Sequence, residues 1–271
     1  MLTLIPTPIG NINDTTFRTL ELIKSCELIL CEDTRVTKQL LKIYQDRFNL
    51  NVPNVDIISF HEHNGKERLE QIGKKLKSLN VVYMSDAGMP GISDPGQLLV
   101  EYCQKEKIEY DVLPGASAAP LVYAASGFKS GKFYFYGFLP NRGKERKEEL
   151  SKVLSNGLDT IVYEAPHRIL KLIDEICQID ENREIFAAKE LTKKYQKYYK
   201  DKAYNLAKIL KSESTKGEWA LVIEAKLEDN KKSLDLEEIY SLDIPPKPKA
   251  KLIAKITGKS VKECYEELRK Q

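Results

Sequence analysis

Five short apolar runs, Leu2–Ile5, Leu28–Cys31, Val55–Ser59, Val81–Met84 and Tyr110–Leu113, punctuate the first half of the chain. Between them, apolar side chains recur every three or four positions. The short runs predict buried strands and the wider spacing predicts helices. Phe17, Leu20, Leu22 and Ile23 mark one helix, with Asp14 placed to cap it, and Leu69, Ile72, Leu76 and Leu79 mark the face of another. Strands that alternate with helices pair in parallel through right-handed crossovers, so residues 1–130 read as an α/β domain with a parallel sheet.

A second α/β domain is expected over residues 131–235, joined around Ser126–Gly131. It begins with the aromatic run Lys132–Phe138 and repeats the rhythm at Thr160–Tyr163, Glu184–Ala188 and Trp219–Ala225. Lys194–Lys202 reads as an additional strand, which predicts a mixed sheet. Leu227–Ser233 reads as a polar linker. Residues 236–271 differ: Ile244-Pro245-Pro246-Lys247-Pro248 suggests a stiff connector, Lys249–Thr257 a helix and Gly258 a turn. Ser260-Val261-Lys262-Glu263 then has the capping-box spacing that opens a second helix. Such a hairpin either reads nucleic acid or packs on its parent domain, and its length favours neither.

With 271 residues and 42% hydrophobic content, the chain can fill two cores. No run approaches the ~18 apolar residues of a membrane span, and Met1–Ile5 is too short and lacks a basic lead for a signal peptide. A cytoplasmic protein is therefore expected. Cys26, Cys31, Cys103, Cys177 and Cys264 are dispersed and form no C-x-x-C pair, which favours reduced core thiols over disulfides or zinc. The net charge of +3 is too small to announce a nucleic-acid partner. Its distribution is more informative: residues 1–130 hold 14 basic against 16 acidic side chains, and residues 131–271 hold 29 against 24. A polyanion would touch the second half preferentially.

The candidate chemistry lies in the loops. Pro6–Asn11, Ser85–Gly96 and Leu113–Ala118 are rich in Gly and Pro, and each follows a predicted strand, where the crevice of an open α/β sheet lies. Short side chains there let backbone groups reach a ligand. A lone loop of this kind would be ordinary turn punctuation, whereas three in one half point to a binding crevice. There is no G-x-G-x-x-G and no Walker lysine loop, and Pro6 and Pro8 remove N–H donors where phosphate oxygens would need them. A nucleoside-like cofactor without phosphates fits better.

Seven segments in register carry a resemblance: Pro6–Asn11, Cys31-Glu32-Asp33-Thr34-Arg35, Phe60-His61-Glu62-His63-Asn64, Ser85–Gly96, Pro114–Ala118, Gly137-Phe138-Leu139-Pro140 and Tyr163-Glu164-Ala165-Pro166-His167-Arg168. From Met1 to about Ala225 the chain resembles the small-subunit ribosomal RNA methyltransferases of the tetrapyrrole methylase superfamily, and the terminal hairpin is similar to their helical extension. The resemblance implies a two-domain, homodimeric enzyme with S-adenosylmethionine folded in the interdomain cleft. Its substrate would be the 2′-hydroxyl of a cytidine in the decoding centre of 16S rRNA. The cofactor residues it implies are Pro8, Gly10, Asp86, Gly88, Ile92, Ser93, Gly115, Ser117 and Ala118, with Glu164, Ala165, Trp219 and Ala220 from the second domain. Met89 departs from the small polar residue expected there, although a thioether can sit beside a sulfonium.

A ribose hydroxyl is protonated at neutral pH, so a base at a strand end can add a factor of roughly 10²–10⁴. Asp33 beside Arg35 is an orienting group more readily than a base, since the guanidinium favours its charged form. His61 and Glu62 are the other candidates. A metal is disfavoured, because His61 and His63 have no evident third ligand and methyl transfer needs none. RNA contacts are expected from Arg35, His167, Arg168, Lys193, Lys194, Tyr195 and Lys197, where cations meet phosphates and aromatic rings stack on unpaired bases. Arg142, Lys144, Arg146 and Lys147 form a second basic segment, diluted by nearby glutamates. Each cluster also has a bland reading, as a helix start or a solvated face. The rival functions are a tetrapyrrole C-methyltransferase, a noncatalytic ribosome-assembly factor and a nucleotide-dependent reductase.

Overall fold

The computed structural model describes residues 1–61, 65–226 and 236–269, in two compact units, Met1–Lys226 and Leu227–Gln271. In the first unit, β1 (Leu2–Ile5), β2 (Leu28–Cys31), β3 (Asp56–Ser59), β4 (Val81–Met84) and β5 (Tyr110–Val112) pair in parallel in the order β3-β2-β4-β1-β5. The central strands β2 and β4 are apolar throughout because both faces are covered, whereas the edge strands β3 and β5 carry Asp56 and Asp111. Leu2, Leu4, Leu28, Leu30 and Tyr83 meet Ile72 and Leu76 of α3 (Gly65–Ser78) and Leu99 and Cys103 of α4 (Gly96–Glu106). On the other face Ile5, Ile29, Cys31 and Met84 meet Ile23 of α1 (Phe17–Ser25) and Leu41 and Tyr44 of α2 (Thr34–Phe48). Adjacent residues on a strand thus serve opposite faces.

The cap of α1 differs from the sequence expectation. Thr16, not Asp14, accepts the Thr19 N–H through its side chain, and Asp14 closes a short 3-10 turn over Ile12–Asp14. That turn shifts the helix start by two residues, and Phe17 ends up 89% exposed.

The second sheet contains β6 (Phe133–Phe138), β7 (Asp159–Glu164), β8 (Glu184–Lys189), β9 (Lys197–Lys202) and β10 (Trp219–Ile223), in the order β6-β7-β10-β8-β9. Only β6 and β7 pair in parallel, so the sheet is mixed, as the extra strand predicted. One face packs on α6 (Gly143–Ser155), α7 (Ile169–Ile179) and α8 (Ala203–Lys211) through Leu150, Ile173, Ile176 and Leu206. The opposite face is covered by α5 (Ala118–Ser126), whose Ala119 and Val122 meet Ile161, Phe186 and Val222. By packing, α5 therefore belongs with the second sheet, although it precedes the expected join.

Cys26, Cys31, Cys103 and Cys264 are buried thiols, and Cys177 is partly covered; none is in a disulfide. The expected linker at Leu227–Ser233 lies outside the described residues. In the second unit, a helix that the sequence reading did not anticipate, α9 (Leu236–Ser241), joins α10 (Pro246–Thr257) and α11 (Val261–Leu268) around Ile239, Ala250, Ile253 and Cys264. The prolines expected to stiffen a connector instead open α10, since Pro is suited to the first helical turn. Ser260 and Glu263 form the capping box, and Gly258 closes α10 in the left-handed region. No described helix is long and apolar enough to cross a membrane.

Candidate active site

The loops after β1, β4 and β5 meet the ends of β7, β8 and β10 around a cavity of about 480 Å³. The loop after β4 is shaped from within. Asp94 accepts N–H bonds from Gly91 and Gly96 and the Tyr83 hydroxyl at 2.8–3.1 Å, and Gly88 and Gly91 occupy left-handed backbone that a side chain would strain. Thr7 ties this loop to the first one: its backbone exchanges hydrogen bonds with Gly88, and its hydroxyl donates to the Ser85 carbonyl. Asp94 was missed in the sequence. Its signal was an Asp two residues before the buried Gly96, in a loop whose other internal side-chain bond runs from the Ser85 hydroxyl to the Gly88 carbonyl.

Asp86, Gly88, Ile92, Ser93, Ser117, Ala118, Glu164, Ala165, Trp219 and Ala220 all line the cavity. Pro8, Gly10 and Gly115 do not. Gly10 packs instead against Leu191–Lys193, where a Cβ would lie 2.6 Å from the Thr192 hydroxyl, and the Asn11 N–H bonds that hydroxyl at 3.0 Å. At Gly115 a Cβ would run into the Pro6 ring. These glycines let loops approach one another rather than a ligand. The loop that receives Gly10 is itself constrained, with Glu190 and Thr192 at φ of 54° and 63°.

Glu164 faces the cavity but is wholly committed. Arg146 Nη2 bonds one carboxylate oxygen at 3.1 Å, while Arg168 Nη2, at 2.6 Å, and the Ala165 N–H hold the other. Arg146 also reaches Glu175 and the Pro140 carbonyl. The sequence reading of Arg146 as part of a basic surface is overturned, since its side chain is 1% exposed. Burial demands partners for a charge, and the four side chains supply them to one another. Arg168 is thereby turned inward, while His167 beside it is exposed.

The carboxylates at the ends of β2 and β4 are stitched together. The Asp86 N–H donates to Glu32 Oε1 at 2.9 Å, and the Asp33 N–H donates to Asp86 Oδ1 at 3.2 Å. Burial pushes both Glu32 and Asp86 above the usual carboxylate range. Asp33 behaves oppositely. It caps α2 and holds the Arg35 guanidinium at 2.6 Å, which lowers its pKa to about 2. Asp33 and the exposed His61 lie outside the cavity lining, Glu62 lies outside the described residues, and Glu32, the neighbour of Asp33 after β2, lines the cavity. No Lys or Arg lines it among the described residues. Among the described residues no three His, Cys, Asp or Glu side chains group as a metal site.

The basic candidates on the second sheet are largely neutralised. Lys193 contacts Glu190 and Glu218 at 3.1 and 3.0 Å, and Lys197 contacts Glu213 at 2.8 Å. Lys200 contacts Glu184 and lies over the Phe128 ring. Lys194 and Tyr195 remain exposed, one over the other, and Arg35 is exposed but held by Asp33.

Residues 1–207 match the Tetrapyrrole (Corrin/Porphyrin) Methylases family. The chain belongs to the tetrapyrrole methylase family. Within the tetrapyrrole methylases it is closely related to proteins named ribosomal RNA small subunit methyltransferase I. The protein of that name from Campylobacter fetus is 44% identical over 99% of both chains. That from Helicobacter pylori strain J99 is 42% identical over 98% of this chain and 96% of its own. Two solved structures share the tetrapyrrole methylase fold at 14% identity. Diphthine synthase matches with a TM-score of 0.62 over 82% of this chain and 89% of its own, and cobalt precorrin-4 methyltransferase matches at 0.58 over 82% and 93%.

Proposed function

We propose that the chain is an S-adenosylmethionine-dependent methyltransferase that modifies the ribose 2′-hydroxyl of a cytidine in 16S rRNA. The carrying observation is the 44% identity along 99% of the chain to a ribosomal RNA small subunit methyltransferase I. The cavity supports it. Glu32, Asp86 and Asp94 line one end without a cationic side chain, which suits a ligand bearing sulfonium and ammonium charges and disfavours a phosphorylated one. Ile9, Met89, Ala188 and Leu191 supply apolar wall for a nucleoside.

S-adenosylmethionine, when bound, supplies an electrophilic methyl group. Asp86 and the backbone around Gly88, Ser93, Ser117 and Ala118 would hold it, together with Ala165, Trp219 and Ala220 of the same cavity lining. Glu32 replaces Asp33, His61 and Glu62 as the candidate base. Oε1 is anchored by the Asp86 N–H, and Oε2 accepts the proton of the acceptor hydroxyl. Its raised pKa makes it a better acceptor than Asp33, whose Arg35 contact keeps it a weak base. Glu164 acts as a positioning residue that fixes the Ala165–Arg168 turn. The enzyme works in the cytoplasm as a homodimer, which predicts sedimentation at about twice the chain mass.

Labelled S-adenosylmethionine incubated with small subunits from cells lacking the modification tests the reading. The expected product is label on one cytidine of 16S rRNA in a position resistant to alkaline hydrolysis. Unlabelled rRNA from a protein that binds S-adenosylhomocysteine would exclude this substrate.

A further inference from the structure

The basic excess of residues 131–271 has few free bearers on the second sheet, because Lys193, Lys197 and Lys200 are each paired with carboxylates. In the C-terminal unit the situation is reversed. Residues 245–262 contain six lysines and no acidic side chain. Lys249 reaches the Tyr240 carbonyl and Lys259 reaches Glu267, but the ammonium groups of Lys247, Lys251, Lys255 and Lys262 have no hydrogen bond or ion pair among the described residues. All four are exposed.

Lys247, Lys251 and Lys255 recur every fourth residue on α10, so they form one stripe with steps of about 6 Å. Ala250 and Ile253 occupy a different face, which is buried against α9 and α11. Lys262 continues the basic surface beyond the Gly258 turn. We propose that this lysine surface of the C-terminal helices contacts the phosphate backbone of the acceptor RNA. The proposal rests on the rRNA reading above and adds the place where the RNA is gripped. Compact ammonium groups on flexible stems suit phosphates of irregular spacing, and they supply affinity without reading sequence. A membrane surface is a poorer fit, because an interfacial helix needs a free apolar face and that of α10 is already covered.

The test uses the full chain carrying Lys247→Gln, Lys251→Gln, Lys255→Gln and Lys262→Gln together, since Gln retains helix propensity. Binding to unmodified small subunits is measured from low to high salt. A second variant, with Lys42, Lys74, Lys105 and Lys107 changed to Gln, removes the same charge from exposed positions elsewhere. The stripe variant is expected to bind roughly 10- to 100-fold more weakly, with a log-log salt slope smaller by about 3, while the control stays near wild type. S-adenosylhomocysteine affinity is expected to be unchanged in both. Wild-type affinity and slope in the stripe variant, or equal losses in both variants, would overturn the proposal while leaving the methyltransferase reading intact. Stripe-dependent binding to phosphatidylserine vesicles with unchanged subunit affinity would overturn it in favour of a membrane. Wild-type protein that neither binds nor labels small subunits would remove the rRNA reading and this proposal together.

Discussion

Arg146 and Glu164 are 1% and 0% exposed, and the pair anchors the turn that carries Ala165 to the cavity wall. Removing one member of such a pair strands a buried charge, so Arg146→Ala should cost about 3–5 kcal/mol in urea unfolding. Glu32 calls for a different measurement. Burial holds its pKa above the ordinary carboxylate range, so its contribution to stability is present below that range and is lost as the pH rises. Glu32→Gln should therefore raise the melting temperature at neutral pH, with the gain disappearing in acid where Glu32 is already protonated. The same substitution should lower the single-turnover rate by about 10²–10⁴-fold and abolish the rise of rate with pH through the Glu32 titration. Asp33→Asn should leave both the rate and its pH dependence nearly unchanged, because that carboxylate is engaged with Arg35 and the start of α2.

The loop after β4 behaves as an element because Asp94 joins both ends of its turn, at Gly91 and Gly96. Asp94→Ala should loosen it and weaken S-adenosylhomocysteine binding roughly tenfold or more by calorimetry, since the backbone groups lining the cavity are no longer held in place. Gly115→Ala should act on the fold, lowering stability before it alters cofactor affinity, because its Cβ would strike Pro6 rather than the cavity. The glycines were legible as loop markers, but their roles divided only in space. Gly88 lines the cavity, whereas Gly10 and Gly115 admit a neighbouring loop. The strand expected over Lys194–Lys202 was likewise legible, although β9 begins only at Lys197. Its charge balance was not, because Glu213 and Glu184 lie outside the segment and meet Lys197 and Lys200 only in the folded chain.

At the scale of the Met1–Lys226 unit, the cavity is completed by strand ends and loops from both sheets, so a ligand there should stabilise both together. S-adenosylhomocysteine at about 100 times its dissociation constant should add about 2.7 kcal/mol and leave a single unfolding transition for this unit. The alternation of apolar runs and helical spacing was sufficient to determine the parallel first sheet and the mixed second sheet, and the Gly- and Pro-rich segments after strands marked the cavity loops, while the individual lining residues were named by the family resemblance. The sheets and loops follow from local periodicity and from short-range turn chemistry. Tertiary structure decided which polar residues are available. It placed Arg146 in the core, committed Glu164 to two guanidiniums and left Glu32 on the cavity wall, whereas the Asp33–Arg35 contact is local and was legible in the sequence. Charge and burial depend on which side chains from separate elements meet in space, as Arg146 of α6 meets Glu164 of β7 and Asp86 meets Glu32, and a linear pattern does not record those meetings.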